Sequence, residues 1–272
     1  MLSNPFEDIS SYKNLLKTIT ACMRGKPITN NMLVPSSIAA SIERKALFFL
    51  ALENAYFIFL KETGRYRCYY YFDSECENIR FTLEPLDLPI VIEDIYTSPQ
   101  SRNAIAKKIF IESGFSYIRS NYRFALQLDA SRRQEKDECM PCFASKDDFP
   151  AVYKILWESF DPRADRLFSQ SELLEEIEAG NVFVLRKNKE VAAVVTQEIY
   201  GKTAILRHIA VNNYLQGHGY GQSILRKYIT HSTAMGFRKI LLWTNIRNIR
   251  AHKLYQLQGF NLDDYMSDVY FI

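Results

Sequence analysis

The sequence predicts an α/β (α+β) protein built from two tandem copies of one fold, and three observations carry that expectation. Apolar periodicities of about two and about 3.6 residues alternate along the whole chain. A strongly polar run, DASRRQEKDE (129–138), interrupts them near the middle and carries no apolar period, which makes it the best boundary between a domain at 1–136 and one at 137–272. Arg102–Phe115, RNAIAKKIFIESGF, also aligns without a gap to Arg247–Phe260, RNIRAHKLYQLQGF.

Taken in order, Ile9, Tyr12, Leu15, Leu16 and Ile19 repeat at helical spacing between Asn4 and Arg24, and Ile38, Ile42, Leu47 and Leu50 predict a second helix from Ser37 to about Leu52. AYFIFL and RYRCYYYF then read as two strands joined at Thr63-Gly64, with aromatics on both faces, as in a sheet covered on both sides. A strand at Leu88–Ile95, a helix at Ser101–Ser113 ending at Gly114 and a strand at Tyr122–Leu128 complete the first half. The second half opens with a strand at Met140–Ala144 and a helix at Phe149–Phe160. The next helix has Ser169 as its N-cap and Glu172 in capping-box position. Strands at Asn181–Leu185, Val191–Ile199 and Ala204–Val211 follow, then a helix from Gly221 to Met235, a strand at Lys239–Thr244, a helix at Asn248–Gln258 and a final strand at Asp268–Ile272.

A chain of 272 residues, 47% hydrophobic and 24% charged, can bury a core in each of two modest domains. A formal net charge of +3 with no block of like charge gives no case for nucleic acid as a partner. No signal peptide or membrane span is evident, because the longest apolar run, Ala46–Leu60, is broken by Glu53 and Asn54. An odd cysteine count, five, suits a reducing compartment, so the expected location is cytoplasmic. Cys139-Met-Pro-Cys142 lacks a second pair or histidines at ligand spacing, and no metal site is expected.

The stretch Leu206–Ser223, LRHIAVNNYLQGHGYGQS, is the most informative. A strand ending Ile209-Ala210-Val211 runs through a polar turn into Gly217, Gly219 and Gly221 at alternate positions, and then into a helix. Glycines at a helix start leave backbone N–H groups uncovered toward an anion. No Lys follows as a P-loop requires, and Gln222 stands where a dinucleotide fingerprint needs its third glycine.

Gln216-x-x-Gly219-x-Gly221 after that strand resembles the acetyl-CoA loop of the GNAT superfamily of N-acetyltransferases. Asn248-x-x-Ala251-x-x-Leu254-Tyr255-x-x-x-Gly259-Phe260 is similar to the family's second motif, and the order of elements in the second half resembles the same fold. The resemblance implies two GNAT-like domains, each a mixed, mostly antiparallel central sheet flanked by helices. The first copy has Phe110 opposite Tyr255 and no glycine loop, so it is degenerate and serves as a structural partner.

By the same resemblance the cofactor is acetyl-CoA as co-substrate. Its pyrophosphate lies on the backbone of Gln216, Gly217, His218, Gly219, Tyr220, Gly221 and Gln222, its pantetheine arm along Ile209, Ala210 and Val211, and Asn248 hydrogen-bonds the arm. Tyr255 is the general acid, a neutral phenol that can protonate the leaving thiolate. No general base declares itself: His208, Glu198 and a water chain stay open. The acceptor is a small-molecule or peptide amine, recognised in part by the loop Asp161–Gln170, whose charges have both signs. A monomer with the first copy as pseudo-partner is expected, with a homodimer open. The alternatives are an acyl-CoA sensor or scaffold without catalysis, and a nucleotide-binding enzyme using the same loop.

Overall fold

The computed structural model describes residues 3–31, 33, 35–73, 75, 79–84, 86–97, 101–129 and 142–272. The chain forms two compact units, residues 1–120 with 266–272, and residues 121–265. The boundary expected at 136–137 lies outside the described residues, as does Cys139.

In the first unit, α1 (Ile9–Cys22) starts at Asp8, whose Oδ1 accepts the Ser11 N–H at 2.7 Å. β1 (Ile28–Thr29) and α2 (Pro35–Glu43) follow, then β2 (Leu47–Leu52), β3 (Ala55–Glu62), β4 (Arg65–Phe72), β5 (Ile90–Tyr96), α3 (Ser101–Glu112) and the start of β6 (Ser116–Gln127). The helix expected over Ser37–Leu52 is therefore half helix and half strand. Lys45 takes φ 52, a left-handed conformation that ends a helix, and Leu47–Leu52 pairs residue by residue with β3. Spacing at 38, 42, 47 and 50 cannot separate a helix from a helix that turns into a strand.

The sheet of this unit runs β2-β3-β4-β5, antiparallel except for β4 against β5, which is parallel. Both faces are covered, as the aromatic runs predict. Phe57, Phe59, Tyr70 and Phe72 pack with Phe110 of α3, while Ile58, Tyr69 and Tyr71 pack with Tyr12 and Ile19 of α1.

The second unit contains β7 (Cys142–Phe143), α4 (Phe149–Ser159), α5 (Gln170–Glu178), β8 (Val182–Lys187), β9 (Glu190–Tyr200), β10 (Thr203–Val211), α6 (Tyr220–Ala234), β11 (Lys239–Asn245), α7 (Ile249–Leu257) and β12 (Asn261–Phe271). Ser169 caps α5 in the expected capping box with Glu172. The β8–β9 hairpin turns on Asn188 and Lys189, both at positive φ, the signature of a tight turn matched to strand twist. Sheet order is β6-β11-β10-β9-β8-β7, with β10 and β11 the one parallel pair. α6 and α7 bury Leu225, Tyr228 and Tyr255 against Phe183, Val195, Leu206 and Leu242 on one face. α4 and α5 bury Val152, Leu156 and Leu173 against Val184, Val194 and Ala210 on the other.

The repeat seen in the sequence has a structural counterpart. Each unit has a hairpin, β3–β4 or β8–β9, and a strand parallel to its neighbour that leads into a helix stopped by a glycine at positive φ, Gly114 or Gly259. After those helices the units exchange strands. Asn121–Gln127 of β6 pairs with β11 in the second unit, and Met266–Phe271 of β12 pairs with β5 in the first.

Candidate active site

The site is built on β10, α6 and α7 of the second unit. β10 alternates half-buried and buried residues, so Ile209 and Val211 project to the face of α6 and α7, with His208 and Ala210 on the face of α4. A β-bulge between Leu206 and His208 sets this phase. β10 pairs with β11 only from Thr203–Lys239 to Leu206–Leu242, although β10 runs on to Val211 and β11 to Asn245. The two strands therefore separate beyond Leu206, and the backbone edge of Arg207–Val211 that would face β11 has no ladder partner there.

Past Val211, Asn212 closes a short turn by accepting the Tyr214 N–H at 3.2 Å, and the chain reaches the glycines. Gly217 (φ 84) and Gly219 (φ 81) are left-handed, and a Cβ at either would stand in open space. Gly219 is the N-cap of α6 with no side chain covering the first-turn N–H groups. Gly221 differs: its Cβ would lie 3.4 Å from Val211 Cγ2 and 3.8 Å from Leu254 Cδ2. These are ordinary contact distances, so the space at Gly221 is bounded by β10 and α7 while that at Gly217 and Gly219 is open.

Other predicted residues fall as follows. Gln216 gives Nε2 to Asn213 Oδ1 at 3.0 Å and receives Arg250 Nη1 on Oε1 at 3.4 Å, so its side chain is engaged within the loop. His218 Nδ1 is 3.0 Å from the Gln216 carbonyl. Tyr220 and Gln222 begin α6. Asn248 is the N-cap of α7, its Oδ1 accepting the Ala251 N–H at 3.1 Å.

Tyr255 is buried between Phe124 and Phe260, and burial pushes its phenol well above the ordinary value, so it is neutral at any physiological pH. His208 is buried against Phe160 and Phe168, with Nδ1 2.8 Å from Thr196 Oγ1; burial and then Arg207 lower its pKa to about 4. Glu198 takes Arg166 Nη1 at 3.2 Å and Arg207 Nε at 3.3 Å on Oε1, and the Tyr200 hydroxyl at 3.1 Å on Oε2. Arg207, Trp243 and Arg250 carry no motif signal in the sequence. Arg250 lies inside the second motif at a position the motif leaves unspecified, and Arg207 matters only because a bulge places it.

Among the described residues no group of His, Cys, Asp and Glu is arranged to hold a metal ion, and no helix is long and apolar enough to cross a membrane.

A strand parting from its parallel neighbour just before a glycine-capped helix leaves a free β edge beside uncovered helix N–H groups, an arrangement able to hold an anion. Residues 149–260 match the acetyltransferase (GNAT) family. Among solved structures, a GCN5-related N-acetyltransferase from Sphaerobacter thermophilus matches 84% of this chain and 80% of its own at 12% identity, with a TM-score of 0.57. A GNAT-family acetyltransferase from Colwellia psychrerythraea matches 100% of this chain and 98% of its own at 12% identity, with a TM-score of 0.52. No curated protein matches the sequence. Residues 149–260 are thus similar in sequence to the GNAT acetyltransferases, and a fold of this type extends over the whole length of the chain.

Proposed function

We propose that the second unit is an acetyl-CoA-dependent N-acetyltransferase, in which a primary amine attacks the thioester directly within a ternary complex. The observation that carries this reading is the parting of β10 from β11 immediately before the glycine loop. The residues fit the co-substrate on two counts. Gly217 and Gly219 leave open space above an uncapped helix start, which suits a pyrophosphate. The edge of Ile209, Ala210 and Val211 lacks a β11 partner, which suits the amides of a pantetheine arm.

Bound acetyl-CoA supplies the activated acetyl group. The first-turn N–H groups of Tyr220, Gly221 and Gln222 hold negative charge at the head of α6, and Arg250 adds a cation beside Gln216. A backbone N–H of the Ile209–Val211 edge polarises the acyl carbonyl. Tyr255 holds its proton for the leaving sulfur, since burial keeps the phenol neutral. His208 does not serve as base in this reading. Its imidazole points to the α4 face and Thr196 engages its Nδ1. Glu198 is held by two guanidinium groups and a phenol, so water carries the proton from the amine.

Tyr255→Phe should lower turnover about 10²-fold, as loss of a general acid does, while acetyl-CoA affinity measured by calorimetry stays within twofold. Thiol release from acetyl-CoA across a panel of amines reports the activity. Tight binding with no turnover on any amine would instead mark the chain as an acyl-CoA sensor, and protection against thermal unfolding by ATP but not by CoA would overturn the assignment.

A further inference from the structure

Two residues flank the point where the strands part. The last paired residues are Leu206 and Leu242, so Arg207 on β10 and Trp243 on β11 are the first beyond it. Arg207 sits on the bulge, and its Nε reaches Glu198 Oε1 at 3.3 Å. The same oxygen accepts from Arg166 Nη1 at 3.2 Å, and the other carboxylate oxygen accepts from the Tyr200 hydroxyl. This places the Arg207 guanidinium on the face of the α4–α5 loop, where His208 meets Phe160 and Phe168. Trp243 alternates with the buried Leu242, which faces α6 and α7, so its indole lies on the face opposite those helices.

One carboxylate thus serves two guanidinium groups, and only Nε of Arg207 is used. Its two terminal amino groups have no partner among the described residues, although the side chain is only 22% exposed. Of the three other charges in the loop, Arg163 pairs with Asp161 at 2.8 Å, and Asp165 Oδ2 accepts the Asp161 N–H at 3.1 Å. A half-buried guanidinium with an open two-pronged edge is the geometry that receives a carboxylate. Ile209, whose backbone is assigned to the acyl arm, stands two residues farther along the strand, about 7 Å away. An amine and a carboxylate joined by one or a few carbons can bridge that distance.

We propose that Arg207 binds the carboxylate of the acetyl acceptor, so that the acceptor is a free amino acid, with Glu198 as the positioning residue that orients the guanidinium. The inference rests on the acetyltransferase reading above. Arg166 shares the same Glu198 oxygen, and the Trp243 indole, with the Arg123 guanidinium 5.7 Å from its ring centre, stands on the other strand.

The test compares thiol release from acetyl-CoA with a set of amino acids, their amides and their decarboxylated amines, in the full chain. Amino acids should show the higher kcat/KM. Arg207→Gln should raise their KM about 30- to 100-fold, the loss of one charged hydrogen-bonded pair, and leave KM for the amides unchanged. Arg207→Lys should restore part of the difference, and Glu198→Gln should raise KM for amino acids more than it lowers kcat. A second readout needs no turnover. In a Trp157→Phe background, the fluorescence of Trp243 should respond to N-acetylamino acids but not to their amides, and Arg207→Gln should abolish the response. Equal use of amino acids and amides, a preference for peptides with acidic first residues, or an unchanged ratio in Arg207→Gln would each overturn the proposal while acetyl-CoA binding stands. Failure to bind acetyl-CoA would overturn the acetyltransferase reading itself, and this inference with it.

Discussion

Replacing His208 with Gln should remove most of the pH dependence of stability that the second unit shows between pH 7 and 5. His208 is buried and neutral, with its pKa lowered from 6.5 to about 4, chiefly by burial and then by Arg207, against smaller opposing effects of Asp165 and Glu198. In the unfolded chain the imidazole takes up a proton more readily, so this contribution to stability is full above pH 6.5 and is lost as pH falls toward 4. A shift of about 2.5 units corresponds to ~3 kcal/mol in all, of which roughly 2 kcal/mol disappears between pH 7 and 5. Both tryptophans of the chain, Trp157 and Trp243, lie in the second unit, so their fluorescence during urea unfolding reports that unit alone. Gln keeps an amide oxygen for the Thr196 hydroxyl, and His231, also lowered by burial, leaves a residual slope in the same direction. An identical loss of stability on acidification in wild type and His208→Gln would refute the reasoning.

The first unit should respond with the opposite sign. Burial, with Asp268 adding and the Tyr70 hydroxyl opposing, raises Asp94 to about 6, so its stabilising contribution is full below the unfolded value and is lost as pH rises through 6. Asp94→Asn should abolish that dependence, worth on the order of 2–3 kcal/mol, in hydrogen exchange of the β5 amides corrected for intrinsic rates. Gly219→Val should lower stability by roughly 1–2 kcal/mol, because φ 81 puts a Cβ against the following carbonyl, and a thermal melt should show it. The same variant should also lose the rise in melting temperature given by acetyl-CoA, since its side chain enters the open space above α6.

Much of the fold is legible in the sequence because its signals are local. Asp8 with Ser11 and Ser169 with Glu172 mark helix starts through contacts within one turn, and the glycines at 114, 180, 236 and 259 mark stops through their own φ. The alternating strands of the second unit, where β10 reads half-buried and buried in turn, follow from the period of two. The boundary at Lys45 is not legible, because the apolar spacing continues across it and only pairing with β3 decides that Leu47–Leu52 is extended. The glycine loop and Tyr255 are readable as motifs. Arg207 is not, because its place depends on a bulge that shifts β10 by one residue against β9. His208 illustrates the same limit: its identity suggests a base, while Phe160 and Phe168, about 50 and 40 residues earlier in the chain, make it a core residue. The exchange of strands is not legible either, since the partners of β6 and β12 lie more than a hundred residues away in the chain.

That exchange has a consequence for biosynthesis. Tyr96 and Asp268, joined by a hydrogen bond in the first unit, are 172 positions apart, and Ile95 pairs with Ser267 beside them. At about 5–20 residues per second, the ribosome needs roughly ten to thirty seconds to deliver β12 after β5 has emerged. During that interval the nascent first unit presents β5, with buried Ile90, Val91 and Ile92, as an unpaired edge open to any other extended chain. Molecular chaperones that shield such edges should therefore act on this protein throughout synthesis of its second half, and mutations that slow the second half should damage the first.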